Sequence, residues 1–240
     1  MITETPHERL TRIESDFAYM NPTMENQLET QDSTADFRDL LLRYSQHFGV
    51  DRREDIALEL WKRFGTTATV LIVDMSGYSK SIRQFGVVHY LSMIHRLQLT
   101  LQPIVENYGG SIVKFEADNA DARFDSPGDA IQACIALNLA LDSANILTPS
   151  ELDVHVSCGI DHGECLIPDN SHFYGKPVIH ASKLGEDLGM PGQILVTKRA
   201  MELVPASLGI RDDLMNVEIA GVSVDVHSIK FRRAENTAPT

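Results

Sequence analysis

The fold is decided by residues 68–77, which have the sequence ATVLIVDMSG. The first six are β-prone and carry little polarity, which is typical of a strand buried on both faces of a sheet. The run ends at Asp74, and the turn that follows is able to expose backbone N–H groups to an anion. This arrangement predicts a place where a metal ion and a phosphate meet, although an aspartate after a strand is also a common helix cap.

The sequence downstream alternates between helical and extended patterns. We predict a helix over 87–108, strands over 111–116 and 120–124, a helix over 128–141, strands over 152–160 and 164–167 with a turn at 161–163, a helix over 177–188, and strands over 193–196, 217–219 and 224–229. The order β-α-β-β-α-β is that of the split βαβ or ferredoxin-like arrangement, an α+β fold with added edge strands.

The chain divides into four predicted parts. A polar N-terminal arm over 1–35 has no sustained period and is expected to be mobile or weakly helical. A helical extension over 36–65 contains helices at 36–48 and 53–64 that meet at the turn 47–49. The main domain covers 66–232, and residues 233–240 are a frayed tail.

Composition narrows the function classes. The 240 residues include 21 Lys and Arg against 34 Asp and Glu, a net charge of −13, which argues against binding to nucleic acid or to an anionic membrane. No run approaches the roughly 18 apolar residues of a membrane span. Three cysteines and a start without signal-peptide features predict a cytoplasmic protein. A phosphate-bearing ligand is then expected to be bound locally, through metal ions.

A second carboxylate lies 44 residues after Asp74. Asp118 falls at the tip of the predicted hairpin, which would lie beside the first strand in a split βαβ sheet. The two side chains are therefore expected to converge on one site for a hard cation. The alternative for Asp118 is a turn residue, because Asp-Asn is a common turn dipeptide.

Five stretches, in order, resemble the motifs of class III nucleotidyl cyclases. They are 70–79 (VLIVDMSGYS), 108–118 (YGGSIVKFEAD), 158–164 (CGIDHGE), 174–184 (YGKPVIHASKL) and 191–196 (PGQILV). The GGDEF diguanylate cyclases share the core fold, but their signature is absent at 109–111. The likeness covers 68–204 and identifies 66–232 as a cyclase catalytic domain.

The resemblance implies an enzyme that converts a nucleoside triphosphate to its 3′,5′-cyclic monophosphate and pyrophosphate. Two Mn²⁺ or Mg²⁺ ions would be held by Asp74, Asp118 and the backbone carbonyl of Met75. Tyr78 would lie near the phosphates. In this family the site forms between two subunits, which implies a homodimer with two sites.

Further site residues are implied by position within the motifs. Lys114 matches the lysine that recognises adenine, and His172 stands where its partner residue is expected. Lys183 matches the transition-state arginine and keeps the charge without the bidentate fork. Ile179 stands at the ribose-binding asparagine and cannot hydrogen-bond, so the neighbouring His180 is predicted to bind the nucleotide instead.

The identity of the base is the most open question. Lys114 with His172 is neither the adenine nor the guanine pair of the family, which favours the pyrimidine cyclases of bacterial Pycsar anti-phage defence. Such enzymes make cyclic UMP or cyclic CMP for a separately encoded effector. An adenylate cyclase that makes cyclic AMP is the first alternative. The second is a non-catalytic nucleotide-binding homologue, which Ile179 and Lys183 favour.

No zinc site is predicted, because Cys158, His162 and Cys165 lack a nearby fourth ligand.

Overall fold

The computed structural model describes residues 22–46, 50–77, 83–219 and 221–231. The chain divides into two compact units. One comprises Met1–Phe64 with Ile167–Asn170, and the other comprises Gly65–Leu166 with Ser171–Thr240. The predicted four-part division stays a prediction, and its tail, 233–240, lies outside the described residues.

The first unit contains helices α1 (Pro22–Gln46) and α2 (Val50–Phe64). Phe37 of α1 meets Phe64 of α2 edge to face, with ring centroids 5.2 Å apart. Both predicted helices are present, but α1 begins inside the segment predicted as an arm. The predicted turn at 47–49 lies outside the described residues.

The second unit begins with a central strand and alternates strands with helices. Its elements are β1 (Gly65–Met75), α3 (Val87–Asn107), β2 (Ser111–Glu116), β3 (Asn119–Phe124), α4 (Pro127–Asn145), β4 (Val156–Asp169), β5 (His172–Tyr174), α5 (Lys176–Ser182), β6 (Ile194–Thr197), α6 (Lys198–Met201), β7 (Arg211–Ile219) and β8 (Val222–Lys230). The order β1-α3-β2-β3-α4-β4 is the predicted βαββαβ core. Within the described residues, no helix combines the length and the apolar character that crossing a membrane requires.

The sheet has the strand order β2-β3-β1-β4-β6-β8-β7, with β5 paired to β4. β1 is antiparallel to both β3 and β4, and β6 is parallel to β4. This central position explains the apolar run, because Leu71 and Val73 pack into the main core with α3 and α4 while Val70 and Ile72 are buried on the other face. The prediction of a strand buried on both faces is confirmed.

The turn predicted at 161–163 is wrong. β4 runs unbroken through these residues and stays paired with β1 from Val156 to Leu166. The sequence Asp161-His162-Gly163 favours a turn locally, but the Asp161 carboxylate is buried and bonded to the side chains of His180 and Arg199. Tertiary hydrogen bonds thus hold an aspartate inside a strand.

The predicted helix over 177–188 is present in two parts. α5 is followed by a π-helical segment, Lys183–Leu188. α5 packs directly on β4 at Gly159, where a Cβ atom would lie 2.0 Å from the carbonyl oxygen of Ala181. Only glycine permits this approach. The segment that carries several predicted site residues is therefore fixed to the sheet by backbone contact.

Candidate active site

The two predicted metal carboxylates lie at the ends of adjoining strands. Asp74 is the next-to-last residue of β1 and pairs with Asn119, the first residue of β3. Asp118 immediately precedes Asn119, and its backbone carbonyl accepts a hydrogen bond from the Met75 N–H at 3.1 Å. The antiparallel pairing of β1 with β3 therefore brings both aspartates to the same end of the sheet.

Asp74 lies in a strongly acidic environment. The pKa of its carboxyl group is raised to about 7, mainly by burial and then by the charges of Asp118, Glu186 and Asp187, in that order of importance. Glu186 and Asp187 belong to the π-helical segment, which lies against β1. A divalent cation would relieve this repulsion, and carboxylate oxygens are the ligands that Mg²⁺ and Mn²⁺ prefer. The residues present fit the predicted metal ions.

Side-chain ligands are nevertheless few. In the described part of the chain, no three His, Cys, Asp or Glu side chains come together as a metal site. Met75 is buried in the core and would offer only its backbone carbonyl. This donor set suits Mg²⁺ in particular, which is usually bound by one or two carboxylates together with water and substrate phosphates.

The turn that presents Asp118 is conformationally strained. Ala117 has a φ of 52°, in the left-handed region, where a residue with a Cβ atom costs about 1–2 kcal/mol. The strain is compensated by pairing on both sides, since Glu116 and Asn119 close the hairpin between β2 and β3. The position of Asp118 is thus imposed by the surrounding sheet, as is common at functional sites.

Lys114 lies on β2 between two carboxylates. Its Nζ atom is 2.5 Å from Glu116 Oε2 and 3.5 Å from Asp121 Oδ2. The hydrogen bond to Glu116 is the main reason that the pKa of Lys114 is raised. The side chain is 40% exposed, so a ligand is able to reach its ammonium group.

His172, the predicted partner of Lys114, lies on β5. Its ring stacks on Tyr174 with the two planes 7° apart. β5 pairs with β4 and also lies against β2, the strand of Lys114. The structure therefore brings the two predicted base residues onto contacting strands. Tyr78, predicted to lie near the phosphates, is outside the described residues.

Lys183 and Ile179 lie on exposed positions of the α5 region. Lys183 is hydrogen-bonded to Asp187 one turn later, and this bond is the main cause of its raised pKa. Ile179 is 58% exposed. An exposed isoleucine and an exposed lysine, fixed by α5 but outside the core, are consistent with contacts to a ligand or a second subunit.

His180 points toward the sheet. Its Nδ1 atom is 2.9 Å from Asp161 Oδ2, and its side chain is only 15% exposed. Asp161 is fully buried and also accepts hydrogen bonds from Arg199 Nε at 2.7 Å and from the Thr197 hydroxyl. This network joins α5 to β4 and α6. His180 Nε2 makes no hydrogen bond within the described residues. If His180 binds the nucleotide as predicted, it does so through this atom.

Sequence reasoning missed two buried carboxylates, Asp121 and Asp161. The local sequence places Asp161 in a turn, and its partner Arg199 lies 38 residues away, where no spacing rule would find it. Asp121 had a local signal. It occupies an alternate position of the strand 119–124, NADARF, where a charged residue between alanines is unusual for a half-buried strand.

Comparisons with known proteins identify the fold. No protein-family profile matches the chain. A protein of Rhizobium meliloti (strain 1021), assigned by name only as adenylate cyclase 3, is 26% identical over 137 residues, which are 57% of this chain and 23% of the relative. The chain thus matches about a quarter of that relative's length.

Solved cyclase structures superpose on most of the chain. The adenylate/guanylate cyclase/hydrolase from Silicibacter pomeroyi has a TM-score of 0.57 at 21% identity and covers 69% of this chain and 96% of its own. The adenylyl cyclase CyaB from P. aeruginosa has a TM-score of 0.60 at 18% identity, with 70% and 96% covered. The guanylyl cyclase Cya2 has a TM-score of 0.60 at 16% identity, with 72% and 96% covered.

The chain has the class III cyclase fold. The α+β prediction and the resemblance inferred from the five motifs are confirmed at the level of architecture. Within a class III cyclase fold, Asp74 and Asp118 lie at the strand ends where the motifs predict metal binding. The identities are too low to transfer an activity, so the function must be argued from the residues of this chain.

Proposed function

We propose that the chain is a nucleotidyl cyclase that converts a nucleoside triphosphate to its 3′,5′-cyclic monophosphate and pyrophosphate. The observation that carries this proposal is the pair Asp74 and Asp118, held at adjoining strand ends by the Met75–Asp118 backbone hydrogen bond. Two ionisable groups in one acidic site are costly unless a cation is bound there. Their retention therefore favours catalysis over a merely structural domain.

The metal ions would be held by Asp74, Asp118 and the Met75 carbonyl. When bound, Mn²⁺ or Mg²⁺ would supply positive charge to the triphosphate and make the ribose 3′-hydroxyl more acidic. Lys183, an exposed cation on the α5 region, is proposed to contact charge that develops on the phosphate in the transition state. Its point charge would do so less specifically than a bidentate arginine.

The proposed assembly is a homodimer in which each site takes its metal residues from one subunit and its base and phosphate contacts from the other. The exposed positions of Ile179 and Lys183 support this arrangement, because neither side chain is used in the core of its own chain. A symmetric dimer would place two equivalent sites at the interface.

The proposed substrate is a pyrimidine triphosphate, UTP or CTP, and the proposed role is second-messenger synthesis in anti-phage defence through a separate effector. The support is the combination of Lys114 with His172, which is not a purine pair of the family. The adenylate alternative is favoured by Lys114 itself and by the name of the Rhizobium meliloti relative. The non-catalytic alternative is favoured by the exposed apolar Ile179.

The test is product analysis by mass spectrometry. The purified chain is incubated with Mn²⁺ and each of ATP, GTP, CTP and UTP, with Asp118→Ala as the blank and Asp125→Ala as a matched control at an exposed carboxylate outside the site. Cyclic UMP or cyclic CMP as the main product supports the pyrimidine assignment, and cyclic AMP replaces it with the adenylate alternative. Full activity in Asp118→Ala, or no product from a folded dimer, contradicts the proposed chemistry.

A further inference from the structure

Two carboxylates are buried in the part of the chain that the structure describes, and they differ in how they are satisfied. Asp161 is fully buried, and both of its oxygens accept hydrogen bonds, from Thr197, His180, Arg199 and the backbone N–H of His162. This is the normal condition of a buried charge, which is stable only when several donors surround it.

Asp121 is the exception. The residue is 8% exposed, yet within the described residues its carboxylate has a single cationic partner, Lys114, whose Nζ lies 3.5 Å from Oδ2. That distance is at the limit of a hydrogen bond, and Lys114 makes its short contact with Glu116 instead. Burial raises the pKa of Asp121, and Lys114 offsets this only in part. A buried carboxylate requires more hydrogen-bond donors than Lys114 alone provides, and a bound ligand would supply one.

The strand pairing places the side chain of Asp121 on the face of the sheet that carries Asp74. Asp121 lies opposite Ile72 on β1 and opposite Lys114 on β2. Opposed residues in a ladder share a face, and alternate residues of a strand do as well, so Asp121 and Lys114 lie on the same face as Asp74. α3 and α4 cover the other face, which contains Leu71 and Ala122.

A carboxylate and an ammonium group side by side match the edge of a nucleobase. Each base presents N–H donors and ring or carbonyl acceptors on its Watson–Crick edge in its own order, so an acceptor and a donor in fixed positions fit some bases better than others, and charged partners bind such groups more strongly than neutral ones do. A metal ion is a poor occupant here, because the Lys114 ammonium would repel it.

We propose that Asp121 is a base-recognition residue, whose carboxylate accepts an N–H from the base of the nucleotide while Lys114 donates to the neighbouring acceptor. This inference rests on the proposed function, since it assumes that a nucleoside triphosphate is the ligand. It gives the site a strong acceptor at a position that the motif resemblance did not assign. His172, on the strand that contacts β2, would then stack on the base or make a second contact with it.

The experiment compares base preference rather than activity alone. The wild-type chain and the variants Asp121→Asn, Lys114→Met and Glu116→Gln are assayed with all four triphosphates, and kcat/KM is measured for each. Binding of the four α,β-methylene analogues, in which a P–C bond blocks departure of pyrophosphate, is measured in parallel by calorimetry with Mn²⁺. Asp121→Asn preserves shape and removes the charge-assisted acceptor.

The expected result is a loss of discrimination. Asp121→Asn should reduce the preference for the best base over the worst by about 10- to 100-fold, the usual cost of an unpaired polar contact, and Lys114→Met should reduce the same preference. Glu116→Gln is the matched control. Glu116 also binds Lys114, but its side chain is 72% exposed, so all four nucleotides should change by less than about threefold.

Several outcomes separate this inference from the proposed function. A folded Asp121→Asn variant that lowers kcat/KM equally for all four triphosphates, or leaves the preference intact, overturns the inference. If Asp121→Asn does not fold, Asp121→Glu replaces it, because glutamate keeps the charge but moves the acceptor by one methylene; an unchanged base preference in Asp121→Glu then overturns the inference. A wild-type chain that makes no cyclic product but binds the analogues with a preference that Asp121→Asn removes upholds the inference and refutes cyclase activity. A wild-type chain that binds none of the analogues refutes both.

Discussion

Replacement of Asp74 by asparagine should stabilise the metal-free protein at neutral and alkaline pH. Burial and three neighbouring acidic groups raise the pKa of Asp74 from 3.8 to about 7, so ionising this carboxyl group costs more in the folded protein than in the unfolded chain. At 1.36 kcal/mol per pH unit the difference corresponds to at most about 4 kcal/mol. Because water screens this partly solvated carboxyl group, we expect about half of that destabilisation, about 2 kcal/mol.

The sign of the pH dependence follows from the raised value. The folded protein binds a proton at Asp74 more tightly than the unfolded chain does. This stabilises the folded state fully below about pH 4, and the stabilisation is lost as the pH rises to about 7. Asparagine has no proton to lose. The difference in melting temperature between Asp74→Asn and wild type should therefore grow from near zero at pH 4 to about 4–8 °C at pH 8, given about 2–4 °C per kcal/mol for a domain of this size.

The assay is thermal unfolding by circular dichroism in EDTA from pH 4 to pH 9, with Asp125→Asn as a control at an exposed carboxylate. Addition of Mn²⁺ should raise the melting temperature of wild type and leave that of Asp74→Asn nearly unchanged, because bound metal stabilises only a chain that retains its ligand. An Asp74→Asn variant that melts at or below the wild-type temperature at pH 8 in EDTA would show that the acidic environment is already compensated.

Three further predictions concern the α5 region. Asp161→Ala should lower the free energy of unfolding in urea by about 2–3 kcal/mol, because Arg199 and Thr197 lose a shared acceptor; an effect below 1 kcal/mol would contradict the network. Gly159→Ala should cost about 3 kcal/mol by the same assay, since the new Cβ would overlap the Ala181 carbonyl, and an unchanged urea midpoint would count against that contact. Lys183→Ala should keep the wild-type melting temperature, because its ion pair is exposed, while Lys183→Arg raises kcat; equal rates in both variants would exclude the proposed transition-state contact.

The parts of the fold that depend on local pattern were predictable. The run 70–73 is buried on both faces of the sheet, as its composition indicated, and Asp74 follows at the end of that strand. The hairpin that presents Asp118 is also predictable, because its two strands are separated by a turn of two residues that contains this aspartate. Hydrophobic period and turn chemistry are enough when the deciding interactions lie within a few residues.

The parts that depend on distant partners were not predictable. The sequence 161–163 has the residues of a turn, and only Arg199 and His180 make it a strand interior. The same limitation applies to the change from α-helix to π-helix at Lys183, which follows a tight backbone contact between α5 and Gly159. In both cases tertiary contacts override local propensity.

The distribution of charge explains why the two ends of the proposed nucleotide would be recognised differently. At the end of β1, Asp74 and Asp118 lie with Glu186 and Asp187, and this acidic group would repel a triphosphate unless cations came between them. Lys114, on β2, instead places a cation beside the buried carboxylate of Asp121, a combination suited to the neutral, polar edge of a base. Under the proposed function, a chain with a net charge of −13 would bind phosphate through its metal ions, while Lys114 and Lys183 would contact the base and the reacting phosphate.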